Sequence, residues 1–120
     1  MLKILIIEDN EQNLYMFKFL LEKNGFQVVT SANGGGGIKA ANEEKPDLIV
    51  LDIQLPDISG YEVAKKLKAN TKTAHIPIIA ITSYAYPDDR KKAQEAGCNG
   101  YIPKPIDPNA FIDEIRRFIK

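Results

Sequence analysis

The chain has 120 residues, and its 16 lysine and arginine residues balance 16 aspartate and glutamate residues, so the formal net charge is zero. This length predicts one domain that spans residues 1–120, and the neutral charge argues against a nucleic-acid-binding protein, which normally carries a basic excess. Cys98 is the single cysteine, which excludes a disulfide framework and a cysteine-based zinc cluster.

Five short apolar or β-branched runs predict five β-strands. They are Ile4–Ile7, Gln27–Thr30, Leu48–Leu51, Ile76–Ile81 and Gly100–Ile102. Each run is far shorter than the ~20 residues of a membrane span, and no cleavage site follows the first run, so we expect a cytoplasmic protein outside the membrane. The first, third and fourth runs lack alternation, which is typical of strands that are buried on both faces of a parallel sheet.

Apolar residues recur at helical spacing between these runs, as in Leu14, Phe17, Leu20 and Leu21, in Val63 and Leu67, and in Ile112, Ile115 and Ile119. Asn24-Gly25 predicts a left-handed helix end, Asn70 predicts a weaker one of the same kind, and Asp107-Pro108 predicts a helix start. Five strands that alternate with five helices, joined by right-handed crossovers, predict a doubly wound three-layer α/β domain.

A run of four glycines, Gly34 to Gly37, stands at the predicted start of the second helix. Each interior glycine costs a helix roughly 1 kcal/mol relative to alanine, so we expect a frayed and mobile start to this helix. A phosphate-binding loop is the alternative. However, the run follows the second strand, and Lys39 stands where a dinucleotide fingerprint requires glycine.

Polar side chains stand at the ends of four predicted strands. Glu8 and Asp9 follow the first strand, Asp52 follows the third, Thr82 ends the fourth, and Lys104 comes after the fifth. In a doubly wound sheet the carboxyl ends of the strands meet at one edge. We therefore expect three carboxylates, one hydroxyl group and one ammonium group to converge there.

This set of groups indicates phosphoryl transfer. Close carboxylates raise one another's pKa, so three of them together need a compensating cation. Mg²⁺ binds oxygen ligands and commonly shares its coordination shell with phosphate, and Lys104 can pair with a phosphoryl oxygen. Phosphoryl transfer depends mainly on such positioning and charge neutralisation, with Asp52 as a nucleophile that can form an aspartyl phosphate.

The same residues lie in five stretches that match a known family. The stretches are residues 6–10 (IIEDN), 47–56 (DLIVLDIQLP), 59–62 (SGYE), 79–83 (IAITS) and 100–105 (GYIPKP). With these stretches in this order and spacing, the chain resembles the receiver domain of two-component response regulators over essentially its full length. The resemblance implies a flavodoxin-like fold, in which the five-stranded parallel sheet has the order 2-1-3-4-5.

The resemblance also implies roles for the acidic residues. Asp52 is implied to be the phospho-acceptor and to contribute to a Mg²⁺ site. Asp9 is implied to be a direct ligand of the ion, and Glu8 is implied to act mainly through metal-bound water. Gln54 is implied to contribute its backbone carbonyl as a further protein ligand.

A conformational switch is the second implication of the resemblance. Thr82 is implied to hydrogen-bond the phosphoryl group, Lys104 to pair with it, and Tyr101 to fill the space that Thr82 leaves. This movement changes the surface formed by the fourth helix, the fifth strand and the fifth helix. The bond between Lys104 and Pro105 is implied to be cis, which proline permits.

We therefore expect a single-domain response regulator that accepts a phosphoryl group on Asp52 in a Mg²⁺-dependent reaction. A histidine kinase or a histidine phosphotransferase is the expected donor, and a downstream protein is the expected target. Such a domain catalyses only its own phosphorylation and dephosphorylation, and we expect a monomer, with dimerisation on phosphorylation as the alternative.

Residues 52–60 are also similar to single-domain receivers of bacterial cell-cycle and polarity circuits. Tyr84 and Tyr86 are candidates for partner contacts or for ordinary packing.

Three other functions stay open on this architecture. A flavodoxin-like flavin or nucleotide binder needs a phosphate loop after the first strand, where Glu8 and Asp9 repel an anion. A phosphatase of the haloacid dehalogenase type needs a second aspartate where Gln54 stands, and a cap domain for which this length leaves no room. A degenerate receiver acts only as a docking module, but the presence of all four expected site residues argues against it; they are Asp9, Asp52, Thr82 and Lys104.

Overall fold

The structure is a computed structural model that describes residues 1–83 and 87–119. Within these residues five strands alternate with five helices. The strands are β1 (Lys3–Ile7), β2 (Gln27–Ser31), β3 (Leu48–Asp52), β4 (Ile78–Thr82) and β5 (Gly100–Pro103), and the helices are α1 (Glu11–Lys23), α2 (Gly34–Glu44), α3 (Gly60–Ala69), α4 (Pro87–Glu95) and α5 (Pro108–Phe118). Every described helix is too short or too polar to cross a lipid bilayer.

All five strands pair in parallel, in the order β2-β1-β3-β4-β5. The predicted fold and strand order are therefore confirmed. The register aligns the carboxyl ends of neighbouring strands, because Asp52 lies opposite Ile81 and Thr82 lies opposite Pro103. Side chains that follow these strands consequently emerge at one edge of the sheet.

Helices cover both faces of the sheet, with α2, α3 and α4 on one face and α1 and α5 on the other. Alternate residues of β1 show the division, since Leu5 and Ile7 pack with the first group and Ile4 and Ile6 pack with the second. Nearly every residue of β1, β3 and β4 is buried. Burial on both faces accounts for the lack of alternation in their sequences.

Two helix ends lie where local sequence signals predict them. Asn24 ends α1, and Gly25 continues the chain at a φ of +90°, a conformation that glycine adopts without a Cβ penalty. Asp107 caps α5 by accepting a hydrogen bond of 3.0 Å from the Asn109 amide, and Pro108 is the first helical residue.

Two other boundaries differ from the prediction. Asn70 ends α3 in an extended conformation, with a φ of −96° and a ψ of 121°, so the predicted left-handed end is wrong there. Its side chain accepts a hydrogen bond of 2.9 Å from the Lys72 amide, which holds the turn that leaves the helix. The strand predicted from Ile76 begins at Ile78, because Pro77 has no amide hydrogen for the ladder.

The glycine run is helical from its first residue, so the prediction of a frayed start to α2 is wrong. Asn33 caps the helix by accepting a hydrogen bond of 2.7 Å from the Gly36 amide. Gly37 lies against β1, and a Cβ atom there would lie 2.5 Å from Ile7 Cδ1. The missing side chain lets α2 approach the sheet, and this tertiary requirement outweighs the low helix propensity of glycine.

Gly35→Ala and Gly37→Ala form a matched pair that tests this account of α2. A Cβ atom at Gly35 meets its nearest neighbour, Asp57 Oδ2, at an ordinary 3.5 Å. We therefore expect Gly35→Ala to raise the free energy of unfolding by about 0.5–1 kcal/mol through helix propensity. We expect Gly37→Ala to lower it by about 1–3 kcal/mol, because the new methyl group overpacks against Ile7. Urea unfolding followed by circular dichroism measures both values, and effects of the same sign would contradict the account.

Candidate functional site

Backbone hydrogen bonds continue the sheet past the strand ends and place the residues that follow. The Glu8 amide donates to the Ser31 carbonyl at 3.0 Å, which extends the pairing of β1 with β2. The Lys104 amide donates to the Thr82 carbonyl at 2.7 Å, which extends the pairing of β4 with β5. The side chains of the site therefore start from backbone positions that the sheet has already fixed.

Three carboxylates meet at this edge of the sheet. One carboxylate oxygen each from Glu8, Asp9 and Asp52 lies within 4.8 Å of the other two. Glu8 is 1% exposed and Asp52 is 2% exposed, whereas Asp9 faces solvent. The cluster thus has a buried floor of two carboxylates and one accessible carboxylate at its rim.

The Lys104 ammonium group lies between the two buried carboxylates. Its Nζ is 3.5 Å from Glu8 Oε1 and 3.6 Å from Asp52 Oδ1. The loop after β5 positions this side chain, and the bond between Lys104 and Pro105 in that loop is cis. One cation therefore faces three carboxylates, which leaves the site with an excess of negative charge.

The Glu8 carboxylate is in the least favourable environment of the cluster. Neither of its carboxylate oxygens has a hydrogen-bond partner among the described residues. Burial, followed by the neighbouring Asp52 carboxylate, raises the pKa of Glu8 to about 7, although the Lys104 ammonium acts in the opposite direction. An unsatisfied buried carboxylate is costly, so its presence at this edge calls for a ligand.

The donor set fits a divalent cation. Carboxylate oxygens are the ligands that hard cations such as Mg²⁺ prefer, and the cluster offers one from each of Glu8, Asp9 and Asp52. Neither oxygen of Glu8 accepts a hydrogen bond from a described residue, although one of them pairs with the Lys104 ammonium, so both retain acceptor capacity. The acidic cluster can therefore hold a metal ion, with Asp9 open to solvent on the accessible side.

Gln54 lies directly beside the buried carboxylates. Its backbone amide donates to Asp52 Oδ1 at 3.1 Å, and its side-chain Oε1 accepts from the Ser83 hydroxyl at 2.7 Å. The second bond joins the loop after β3 to the loop after β4. The resemblance implies a role for Gln54 only through its backbone carbonyl, and the contact with Ser83 could not be predicted, because a side-chain bond between two loops leaves no local sequence pattern.

Thr82 and Tyr101 lie on the neighbouring strands β4 and β5. Thr82 is fully buried at the end of β4, next to the cluster. Tyr101 is half-buried, pairs with Ala80 across the sheet and packs under the guanidinium of Arg90, whose Cζ is 5.4 Å from the ring centroid. The structure thus brings Thr82 to the site and places Tyr101 toward α4.

Asp57 is a residue that the sequence analysis did not single out. Its carboxylate accepts hydrogen bonds from the Gly34 and Gly35 amides at 2.8 and 2.9 Å. The Gly35 bond and then the Gly34 bond lower the pKa of Asp57 to about 2. In the sequence, the glycine run was the signal that another segment packs closely against the start of α2.

Tyr84 and Tyr86, the candidates for partner contacts or ordinary packing, lie outside the described residues.

Glu8→Gln tests the charge balance of the cluster through pH. Because the pKa of Glu8 is raised to about 7 in the folded chain, its contribution to stability is fully present below pH 4.5 and is lost as the pH rises through 7. In metal-free buffer at pH 8 we expect the variant to be more stable than the wild type by about 1–3 kcal/mol, from ~1.4 kcal/mol per unit of pKa. Urea titrations from pH 4 to pH 8, with the exposed-site variant Glu43→Gln as control, measure the difference. If the difference in the free energy of unfolding between the wild type and Glu8→Gln does not change with pH, the raised pKa of Glu8 is contradicted.

Comparison with known proteins agrees with this geometry. The sequence profile of the response regulator receiver domain matches residues 4–116. The polar-differentiation response regulator DivK of Brucella anthropi is 41% identical over 116 residues, which cover 97% of this chain and 94% of that protein.

Solved structures are similar over nearly the whole chain. The receiver domain of the sensor histidine kinase PA1611 from Pseudomonas aeruginosa, with a magnesium ion coordinated in its active site cleft, is 30% identical with a TM-score of 0.91, over 98% of this chain and 97% of that one. The chemotaxis protein CheY4 of Vibrio cholerae shares the fold with a TM-score of 0.94 at 24% identity, over 99% of each chain. These comparisons give no support to the flavin- or nucleotide-binding alternative. The chain belongs to the response regulator receiver domain family.

Proposed function

We propose that this receiver accepts a phosphoryl group on the Asp52 carboxylate, with Mg²⁺ held by the acidic cluster. One observation carries the proposal: the buried Asp52 lies 3.6 Å from the Lys104 ammonium and beside the buried carboxylate of Glu8, which accepts no hydrogen bond from a described residue. A carboxylate nucleophile, a cation for the transferred group and oxygen ligands for a metal thus occupy one edge of the sheet.

Four residues are proposed to hold the metal ion. Asp9 and Asp52 would bind through carboxylate oxygens, Glu8 would act mainly through bound water, and Gln54 would contribute its backbone carbonyl. When bound, Mg²⁺ neutralises the crowded carboxylates and attracts the oxygens of the incoming phosphoryl group. The magnesium ion in the active site cleft of the similar PA1611 receiver supports this choice of metal.

The proposed reaction moves the phosphoryl group from a histidine to Asp52. An Asp52 carboxylate oxygen attacks phosphorus, a new O–P bond forms, the N–P bond of the phosphohistidine breaks, and the imidazole nitrogen keeps the electron pair. Lys104 is proposed to pair with a phosphoryl oxygen of the product, since its ammonium already lies within 3.6 Å of Asp52. The domain acts as a catalyst only in its own phosphorylation and dephosphorylation.

The proposed output is a change in the surface formed by α4, β5 and α5. The phosphoryl group adds charge and acceptor oxygens next to Thr82, which is proposed to turn toward them. Tyr101 is proposed to follow into the vacated space and thus to leave its position under Arg90. A downstream protein would bind the altered surface, so that a change of charge at the site would change binding at a distance from it.

The proposed setting follows from the relatives. The proposed donor is a histidine kinase or a histidine phosphotransferase, as membership of the receiver domain family implies, and the DivK relatives are named polar-differentiation response regulators. We propose a comparable regulatory role in the cytoplasm for this chain, with residues 1–120 acting as one receiver. The unphosphorylated chain is proposed to be a monomer, and size-exclusion chromatography before and after phosphorylation would show whether phosphorylation causes dimerisation.

Asp52→Asn tests the acceptor. Incubated with acetyl phosphate and Mg²⁺, the wild type should gain the mass of one phosphoryl group, which hydroxylamine should remove because the product is an acyl phosphate. The gain should disappear in Asp52→Asn and on chelation of the metal, because the nucleophile or the charge neutralisation is then missing. Intact-protein mass spectrometry measures each result.

Asp47→Asn is the matched control, since Asp47 precedes β3 at the opposite edge of the sheet. It should gain the phosphoryl mass as the wild type does. An unchanged gain in Asp52→Asn would place the acceptor elsewhere. The absence of any gain in the wild type with several small phosphodonors would favour the degenerate, docking-only alternative.

A further inference from the structure

The loop between β3 and α3, residues 53–59, is tied to the start of α2 by a carboxylate. Asp57 Oδ1 accepts a hydrogen bond of 2.8 Å from the Gly34 amide, and Asp57 Oδ2 accepts one of 2.9 Å from the Gly35 amide. Both oxygens of one side chain are therefore used on two successive backbone amides of another element.

The start of α2 is suited to receive this carboxylate. The first amides of a helix have no partner within the helix and carry a partial positive charge. Here the Asn33 side chain accepts a hydrogen bond of 2.7 Å from the Gly36 amide, and the Asn33 carbonyl accepts one of 3.0 Å from the Gly37 amide. The two remaining amides, at Gly34 and Gly35, bond to Asp57, so the helix start is capped jointly by its own N-cap and by the distant loop.

The glycine run makes the close approach possible. A Cβ atom at Gly34 would lie 2.6 Å from Ile58 Cγ1, so Ile58 packs where a side chain would otherwise stand. The Gly35 and Gly34 amides lower the pKa of Asp57 from 3.8 to about 2, which shows that they favour its ionised form. Packing and a charge-assisted pair of hydrogen bonds therefore hold the same part of the loop.

The other end of the loop reaches the buried carboxylates. The Gly60 amide donates to the Ile53 carbonyl at 2.8 Å, and a Cβ atom at Gly60 would lie 2.6 Å from the Asp52 carbonyl oxygen. Between these points, the Gln54 amide donates to Asp52 Oδ1 at 3.1 Å. These bonds close the loop at its base, and Asp57 anchors the middle of the loop to α2.

We propose that Asp57 is a positioning residue for the Asp52 site. By fixing the middle of the loop to α2, it holds the Gln54 backbone against the Asp52 carboxylate in one geometry. This inference rests on the proposed function, because its consequences are metal binding and phosphorylation at that site. The glycine run then also supports the site, because its lack of side chains lets the loop pack against the start of α2.

Asp57→Ala and Asp57→Asn test the proposal against Asp47→Ala. Asp47 is a matched control, because its carboxylate also accepts a hydrogen bond of 2.8 Å from a backbone amide, that of Lys3, at the opposite edge of the sheet. Three quantities are measured in each variant. They are hydrogen exchange at the Gly34, Gly35 and Gln54 amides, the Mg²⁺ concentration at the midpoint of the thermal-stability increase, and the rate of phosphorylation by acetyl phosphate at several donor concentrations.

We expect Asp57→Ala to speed hydrogen exchange at all three amides. We also expect it to raise the Mg²⁺ midpoint roughly 3- to 10-fold and to slow phosphorylation at saturating donor by a similar factor. These effects are somewhat smaller than those of removing a group that bonds directly to a metal ligand. Asp57→Asn keeps one acceptor oxygen and should fall between Asp57→Ala and the wild type. Asp47→Ala should lower the melting temperature without moving the Mg²⁺ midpoint or the Gln54 exchange rate.

The outcomes separate the two proposals. If Asp57→Ala changes stability and the exchange of Gly34 and Gly35 alone, Asp57 is only a helix cap and the positioning role is overturned. If the wild type is not phosphorylated, the proposed function fails, and the Gln54 exchange rate and the Mg²⁺ midpoint still decide the role of Asp57. If Asp57→Ala does not fold, the same comparison is made with Asp57→Asn, and wild-type values for Gln54 exchange and the Mg²⁺ midpoint in that variant overturn the proposal.

Discussion

Two buried carboxylates that share one ammonium group are the arrangement on which this molecule depends. Glu8 and Asp52 are almost inaccessible to solvent, and Lys104 lies within 3.6 Å of both. A single cation cannot satisfy them, and Glu8 is left without a hydrogen bond among the described residues. A chain selected only for stability would replace such a group with an apolar one. This excess of negative charge instead suits the binding of a divalent cation, which would compensate the carboxylates.

The sheet is what keeps these charges together. Their mutual repulsion is opposed by parallel ladders that continue beyond the strands to Glu8 and to Lys104. The pairing of β4 with β5 has a further consequence, because it connects Thr82, Tyr101 and Lys104 through one register. Thr82 thus ends the strand next to that of Tyr101, and Lys104 follows Tyr101 along the chain, so the ring that packs under Arg90 lies within one strand of both.

Much of the fold follows from local sequence, whereas the contacts between loops do not. Buried parallel strands carry continuous apolar runs, so their number and type could be predicted, whereas their order came from the resemblance to receiver domains. The strand ends indicated which polar side chains would meet. The failures arose where tertiary contacts override propensity. The prediction of a frayed α2 counted the helix cost of four glycines but could not include the Asp57 carboxylate or the close approach to Ile7. The bond between Ser83 and Gln54 was missed for the same reason, because residues 29 positions apart share no sequence period.

The two loops beside Asp52 are connected to each other and, through the loop after β3, to α2. The loop after β3 is fixed by two charge-assisted bonds to α2 and by close backbone packing at Gly60. The start of the loop after β4 is joined to it by a hydrogen bond between the exposed side chains of Ser83 and Gln54, a contact that contributes about 0.5–1.5 kcal/mol. Ser83 follows Thr82 directly, so this bond connects the loop that carries Gln54 to the residue that is proposed to turn toward the phosphoryl group. In the proposed function, the acceptor therefore lies beside a loop that α2 anchors, and the proposed switch residue is linked to that same loop through its neighbour.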